Sequence, residues 1–374
     1  MTKITIAFDA TATPSELAGA GYYVKELLHE LDVRSEVELK IITRKSDKKR
    51  FKEFAPSAEI INVSPDDKLG RLFFQTFKLG PIVDELEVDI FHGPHYQIPK
   101  NMKTRSVVTI HDMTLLTHKD VHTLTKRQFF TRVIPASIKK SKSVITVSQS
   151  TADDIKALIP NYPEIFVAPL GVDSNRFNPN KSKTDANLLS NRGITSPYIA
   201  FLGLFEPRKS VPTLINAFER ISKQYPNLKL VLAGAPGWGA KEIRESIVQS
   251  GIATRIIVPG RLSNDEVGPF LRNCEAFVYP SLYEGFGMPV LEAMACGSPT
   301  ITTNSSSLKE VAGNGALLFE PKDEVELEKL LLSLLSDEAL KKEMSAKAIK
   351  RAKDFTWSKC AQVHIDAFTK AMEN

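Results

Sequence analysis

The sequence predicts an α/β protein of two doubly wound domains, each a parallel sheet with helices on both faces. Three observations predict it. Short apolar runs alternate with longer amphipathic segments throughout, and strands interleaved with helices imply parallel sheets. The runs form two series of six, which favours two domains over one barrel. A polar stretch rich in Asn, Lys and Ser, Asn175–Asn191, parts the two series. The 374 residues are too many for one small core and comfortable for two.

In chain order, the first strand candidates are Ile4–Phe8, Leu39–Thr43, Asp89–His92, Ser106–Ile110, Ser143–Val147 and Ile165–Ala168. The second series is Tyr198–Leu202, Lys229–Ala233, Arg255–Val258, Ala276–Tyr279, Pro299–Thr302 and Ala316–Phe319. Amphipathic segments such as Tyr22–Leu31, Ser210–Lys223 and Asn264–Asn273 fall between them as helices. Ser263 is a natural N-cap for the last of these, with Glu266 three residues on. Three helical segments close the chain: Asp323–Ser336, Asp337–Lys353 and Trp357–Met372. The expected domains are 1–178 and 179–356.

Composition narrows the function. Basic residues number 49 and acidic ones 44, a formal charge of +5, with no long basic tail or aromatic-basic interleaving to bind nucleic acid. Cys274, Cys296 and Cys360 are scattered, odd in number and without metal-ligand spacing, which fits a reducing cytoplasm. Met1 leads directly into a strand ending at Asp9, unlike a signal peptide, and no apolar run is long enough to span a bilayer.

The most informative stretch is Tyr283-Glu284-Gly285-Phe286-Gly287-Met288-Pro289-Val290-Leu291-Glu292-Ala293. It follows the strand Ala276–Tyr279. Two glycines free the backbone at a turn, Pro289 suits a first helical position, and Gly297 suits the end. Glu284 therefore lies on a loop and Glu292 in the next helix. Between them the amides near Gly287 and Met288 leave a helix N-terminus, where unpaired N–H groups attract phosphate. Two acids flanking a phosphate cradle suit a ribose–diphosphate–sugar ligand. A second candidate, Gly203-Leu204-Phe205-Glu206-Pro207-Arg208-Lys209-Ser210, sets two cations at a helix start, where they oppose the helix dipole unless an anion binds.

The Glu-x7-Glu stretch resembles that of retaining nucleotide-sugar glycosyltransferases of family four, which have two Rossmann-like domains facing across a cleft (the GT-B architecture). The resemblance spans almost the whole chain and is most specific over residues 199–321. It implies that Glu284 contacts the donor sugar, that Glu292 binds the ribose hydroxyls, and that Phe286, Gly287 and Met288 lie against the donor. Arg208 and Lys209 resemble the family's Arg-Lys-Asn diphosphate signature, with Ser210 in place of Asn. The nucleotide base is expected against the backbone near Arg261 and Leu262. Within Val107-Val108-Thr109-Ile110-His111-Asp112, the resemblance gives His111 a contact with the donor sugar near its reacting carbon, and Asp112 orients the loop. The glycine-rich loop with Gly19 and Gly21 is expected against the donor phosphates, although Tyr22 stands where Arg is often found. His95 and Tyr96, after the strand Asp89–His92, are read as acceptor-binding residues. By resemblance, segment 357–374 packs back on the first domain.

These readings converge on a cytoplasmic retaining hexosyltransferase of cell-surface polysaccharide assembly, similar to bacterial mannosyl- and rhamnosyltransferases. GDP-mannose is the favoured donor, and a glycan or lipid-linked hydroxyl the acceptor. No cofactor is expected. No metal is expected either, since the sequence shows no acidic ligand cluster and the cations of Arg208 and Lys209 replace it. The basic run Arg44–Lys52 could meet the inner face of a membrane, against a plain solvated face. Two rivals are an NAD-dependent oxidoreductase, which the incomplete glycine fingerprint disfavours, and a noncatalytic nucleotide- or glycan-binding protein.

Overall fold

A computed structural model describes residues 3–17, 19–117 and 124–373; Ala18, at the head of the glycine-rich loop, lies outside them. The chain forms two compact units, Met1–Gly171 with Trp357–Asn374, and Val172–Thr356.

The first unit holds a seven-stranded sheet of β1 (Ile4–Asp9), β2 (Val37–Arg44), β3 (Glu59–Ser64), β4 (Ile90–Gly93), β5 (Ser106–Ile110), β6 (Ser143–Thr146) and β7 (Glu164–Val167). Their order is β3-β2-β1-β4-β5-β6-β7. The second holds β8 (Tyr198–Leu202), β9 (Lys229–Ala233), β10 (Ile256–Gly260), β11 (Ala276–Tyr279), β12 (Thr300–Thr303) and β13 (Leu317–Phe319), in the order β10-β9-β8-β11-β12-β13. Every pairing is parallel. Fully buried strands such as β5 and β11 explain the unbroken apolar runs.

The sequence reading lacked β3. Glu-Ile-Ile-Asn-Val-Ser mixes charge and polarity into a short run, and the strand lies at the sheet edge, only partly buried, paired with β2 alone. The expected boundary also differs. The chain changes unit at Gly171–Val172, and the polar stretch 175–191 is folded into the second unit. Phe177 and Leu189 anchor it in the core. Asp185 receives Arg272 Nε at 2.6 Å, Arg272 Nη2 at 2.7 Å and Asn273 Nδ2 at 2.9 Å. Polar composition signalled a linker here because its ion-pair partners lie far along the chain.

The helix Trp357–Glu373 buries Trp357, Cys360, Ala361, His364, Ile365, Phe368 and Ala371. Spacings of three and four put them on one stripe, which packs on helix Ala20–Asp32 and on β4–β7 of the first unit. Each large apolar side chain so buried contributes about 1.5–3 kcal/mol. The Ser263–Glu266 capping box forms as its spacing predicts, and Glu266 also pairs with Arg192 at 2.6 Å. Among the described residues no helix is long and apolar enough to cross a membrane.

In the second unit, glycines let strand-end loops touch. A Cβ at Gly234 (φ +154°) would sit 1.8 Å from the Gly203 carbonyl oxygen, and one at Gly237 would sit 2.5 Å from that of Phe205. The loop after β9 thus packs backbone-to-backbone on the loop after β8, which carries Arg208 and Lys209. Gly234→Ala should therefore destabilise by about 3 kcal/mol or more, because overpacking adds to backbone strain. Gly193→Ala, also at positive φ (+72°) but with open space around it, should cost only about 1–2 kcal/mol. Urea unfolding of both variants measures the contrast, and equal losses would refute the close-approach account.

Candidate active site

Sheet order in each unit reverses beside its first strand: β1 lies between β2 and β4, and β8 between β9 and β11. Loops leaving opposite ways at such a switch point open a crevice beyond the strand ends. In the second unit that point lies between the loops after β8 and β11, and it holds a buried ion cluster.

Glu284 is its centre, only 7% exposed. Its Oε2 accepts from Arg208 Nη1 at 2.6 Å. Its Oε1 accepts from Lys209 Nζ at 2.5 Å, Ser281 Oγ at 2.5 Å and Tyr279 Oη at 3.2 Å. Lys209 also bonds the Tyr279 hydroxyl. Arg208 Nε binds Glu206 at 2.9 Å. Burial works against the Glu284 charge, but Arg208 and Lys209 overcome it and hold the carboxyl at about 2. Burial likewise opposes Arg208, yet Glu284 and Glu206 keep it above its ordinary range. Burial draws Lys209 below its own range against the pull of Glu284.

The loops are tied at the backbone too. Leu282 N donates to Arg208 O at 2.8 Å, Glu284 N to Ser306 Oγ at 2.9 Å, and Ser307 Oγ to Glu284 O at 2.9 Å. The two cations lie on a 3-10 turn, Pro207–Lys209, ahead of helix Val211–Ile221. Between turn and helix stands Ser210, left-handed at φ 48°. Such strain in a non-glycine residue concentrates at functional sites. The sequence left the cations seeking an anion; the structure supplies Glu284 and Glu206, so the cluster is charge-balanced.

Gly287 caps the helix Met288–Ala295 at φ 99°, and a Cβ there would lie 2.6 Å from Leu308 Cδ2. Only glycine fits both demands. Phe286 is buried edge-on against Phe355, with ring centroids 5.9 Å apart, and Met288 is half-buried. Glu292 is half-buried on the same helix. Burial raises its carboxyl to about 7, opposed by Arg176. Arg261 is exposed and Leu262 buried, just after Gly260 at the end of β10.

In the first unit, His111 follows β5 and its Nε2 lies 2.8 Å from the Pro94 carbonyl. A carbonyl only accepts, so Nε2 carries the proton and Nδ1 keeps a lone pair. Burial lowers its pKa, against Pro94 and Asp112. His95 and Tyr96 flank it, with centroids 5.5 and 5.7 Å away. Burial and His111 push His95 down to about 3. Asp112 accepts from Tyr96 Oη at 3.0 Å and from the Thr114 amide at 2.9 Å, so it fixes this loop. Gly19 (φ 45°) precedes helix Ala20–Asp32, and Gly21 is buried in its first turn. The structure therefore gathers His111, His95 and Tyr96, and separately gathers Glu284, Arg208 and Lys209. It brings Glu292 into neither group.

Sequence reading missed a buried chain behind His111. Tyr23 packs edge-on against His111 at 4.8 Å. Its hydroxyl lies 2.8 Å from Thr109 Oγ1 and 2.9 Å from His364 Nε2. His364 Nδ1 lies 2.7 Å from Cys360 O, and His92 Nε2 lies 2.8 Å from Thr109 Oγ1. The Cys360 carbonyl fixes every direction. His364 donates from Nδ1 and so accepts Tyr23 O–H at Nε2; Tyr23 accepts from Thr109, which accepts from His92 Nε2–H. That leaves His92 Nδ1 without a donor, and it is indeed buried and unbonded among the described residues. Burial keeps His364 down at about 4 and His92 well below its ordinary value, so both stay neutral. The helical i, i+4 pair Cys360–His364 was the available signal.

The Glu292 shift fixes a pH dependence. The folded pKa of about 7 lies above the usual 4.5. Its stabilising contribution is thus full below pH 4.5 and is lost as pH rises through 7. Glu292→Gln should match the wild type near pH 4.5 and exceed it at pH 8. Thermal unfolding across that range tests this, and a wild type more stable than the variant at pH 8 would reverse the assignment.

Among the described residues no three His, Cys, Asp or Glu side chains gather as a metal site. The model of Glycosyltransferase Family 4 matches residues 17–176, and that of glycosyl transferases group 1 matches residues 190–354. The chain is 28% identical to the O-antigen chain mannosyltransferase B of Escherichia coli, over 98% of this chain and 99% of that one. It is similar in fold to the sucrose-phosphate synthase of Thermosynechococcus elongatus (TM-score 0.78, 20% identity, 98% and 100% covered). It is also similar to Anabaena Alr3699/HepE, whose structure contains UDP and glucose (TM-score 0.75, 18% identity, 98% and 99% covered). With two adjoining family models spanning most of its length and a sheet of the expected kind in each unit, this chain belongs to the GT-B glycosyltransferases of the group 1, family four type.

Proposed function

We propose that the protein is a retaining, metal-independent transferase that moves a mannosyl unit from GDP-mannose to a hydroxyl of a glycan or lipid-linked acceptor. Its setting is cell-surface polysaccharide assembly at the inner face of a membrane. The observation that carries this reading is the Glu284–Arg208–Lys209 cluster at the switch point of the second unit. The mannosyl donor is favoured by the full-length similarity to an O-antigen mannosyltransferase. A nucleoside diphosphate ligand is favoured by the UDP-containing relative of the same fold.

The chemistry follows from charge. A diphosphate carries more negative charge than one carboxylate, so it can take the two cations from Glu284 and free that carboxylate for the sugar. As the sugar C1–O bond breaks, negative charge grows on the leaving diphosphate, and cations already in place stabilise it without reorganisation. The acceptor oxygen bonds to C1 on the same face, and its proton passes to the leaving phosphate. His111, neutral with a free lone pair at Nδ1, suits a hydrogen bond from a donor-sugar hydroxyl. His95 and Tyr96 are assigned to the acceptor. Gly19 and Gly21, with Phe286, Gly287 and Met288, are assigned to the donor, and Glu292 to its ribose.

Two experiments test the reading. Titration calorimetry with nucleoside diphosphates should favour GDP. Glu284→Gln should retain that binding while losing most turnover, and Glu292→Gln should weaken the binding itself. The opposite pattern would invert the two roles, and reduction of NAD by the chain would replace the reading altogether.

Product formation in excess EDTA should stay near normal, while Arg208→Ala and Lys209→Ala each lower kcat about 100- to 1,000-fold, the usual cost of losing a preorganised donor of this kind. Abolition by EDTA with rescue by magnesium or manganese would overturn metal independence. Near-normal activity of both mutants would remove the diphosphate role.

A further inference from the structure

The two oxygens of the Glu284 carboxylate are held unequally. Among the described residues, Oε2 accepts from Arg208 Nη1 alone, at 2.6 Å. Oε1 accepts from Lys209 Nζ and Ser281 Oγ, both at 2.5 Å, and from Tyr279 Oη at 3.2 Å. A diphosphate competes for the two cations. It has no comparable claim on the two hydroxyls, which belong to the end of β11 and the residue two beyond it.

The Tyr279 hydroxyl has a fixed sense. Lys209 Nζ bonds it and can only donate, while the ionised Glu284 can only accept. Tyr279 Oη therefore accepts from the ammonium and gives its own proton to Glu284 Oε1. Ser281 is less committed, because its single proton has a second acceptor in the Arg208 carbonyl, 3.1 Å away. The tyrosine is also held in place. It is 1% exposed. Its ring lies within 17° of parallel to those of Phe201 and Phe277, with centroids 5.9 and 6.1 Å away. Its carbonyl accepts from Thr302 Oγ1 on β12 at 2.9 Å.

Packing does not call for that hydroxyl. Ala276, Phe277 and Val278 complete a fully buried strand, where a phenylalanine would fill the same space and spare the cost of burying a polar group.

We propose that Tyr279 is a positioning residue for Glu284. Its hydroxyl pins Oε1 after Arg208 and Lys209 turn to the diphosphate, so that Oε2, the oxygen Arg208 leaves, meets a hydroxyl of the donor sugar. The exchange of cations rests on the proposed function. Without an anchor, a carboxylate that has lost both cations would swing, and displacement on the scale of an ångström is enough to slow a reaction strongly. Tyr279 itself touches no substrate; it acts through Glu284.

The test joins kinetics with GDP-mannose to crystal structures with GDP or UDP. Tyr279→Phe should lower kcat roughly 10- to 100-fold, the usual effect of losing a hydrogen bond to a charged group, with GDP affinity nearly unchanged. Adding Tyr279→Phe to Glu284→Gln should cost little further, because the two act as a unit. Thr302→Val, which removes the bond to the Tyr279 carbonyl and leaves the hydroxyl, is the control: it should lower Tm without separating kcat from GDP affinity. In wild type with GDP, Oε1 should remain bonded to Tyr279 Oη; in Tyr279→Phe the carboxylate should leave that place. Unchanged kcat in Tyr279→Phe, or full additivity with Glu284→Gln, would overturn the proposal. So would a wild-type GDP or UDP complex with Oε1 off Tyr279, or with the Arg208–Glu284 pair intact, and this holds even for a variant that fails to fold. A chain that binds GDP yet transfers no sugar would end the proposed reaction, while Glu284 pinned by Tyr279 in the GDP complex would still support the anchor.

Discussion

Parallel pairing governs where everything else in this protein can be. Among the described residues all thirteen strands run parallel to their neighbours, so within each unit every strand releases its next loop at one edge of the sheet. Asp9, Arg44, Gly93 and His111 therefore gather at one edge of the first sheet. The loops beginning at Gly203, Gly234, Arg261 and Pro280 gather at one edge of the second. Helices must return the chain to the opposite edge, and they bury both sheet faces on the way. Residues distant in sequence become neighbours at the strand ends, and the largest gap opens where the strand order reverses.

In the second unit that gap is occupied by charges that would be costly anywhere else. Lys209 and Glu284 are nearly inaccessible to water, and moving two ions from water costs several kcal/mol each before their attraction repays it. Tyr279, Ser281, Arg208 and Glu206 supply the hydrogen bonds and the charge balance that make burial tolerable. Replacing a buried ion pair by well-packed apolar side chains is often neutral or stabilising, so stability alone does not account for the cluster, which marks this crevice as a candidate functional site.

The first unit uses neutral polar groups instead. One carbonyl, that of Cys360, sets the tautomer of His364 and hence the donor sense through Tyr23 and Thr109 to His92. Tyr23 in turn presents its ring edge to His111. The C-terminal helix thereby supports the rotamer and surroundings of a strand-end residue it does not itself bond, while burial keeps these imidazoles uncharged.

What the sequence by itself determined was local. Twelve strands were legible as β-branched and apolar runs, which in central strands such as β5 and β11 fit a doubly covered sheet. The capping box at Ser263 and Glu266, the left-handed cap at Gly287 and the turn before Pro289 follow from preferences spanning a few residues. The edge strand Glu59–Ser64 escaped because an edge needs no continuous apolar run. Tertiary structure alone decided the pairings. Arg208 meets Glu284 across 76 residues, and Tyr23 meets His364 across 341. It also decided that the polar stretch 175–191 is anchored through Asp185 to Arg272 rather than free, and that Leu69, Leu72, Phe73 and Phe77 face outward. A helical spacing shows that such residues share a face, but only the packing of the rest of the chain determines whether that face meets the core or the solvent. The physical reason is the same throughout: propensities and caps act within a turn or two, whereas charge pairing and burial depend on which distant segments the fold brings into contact.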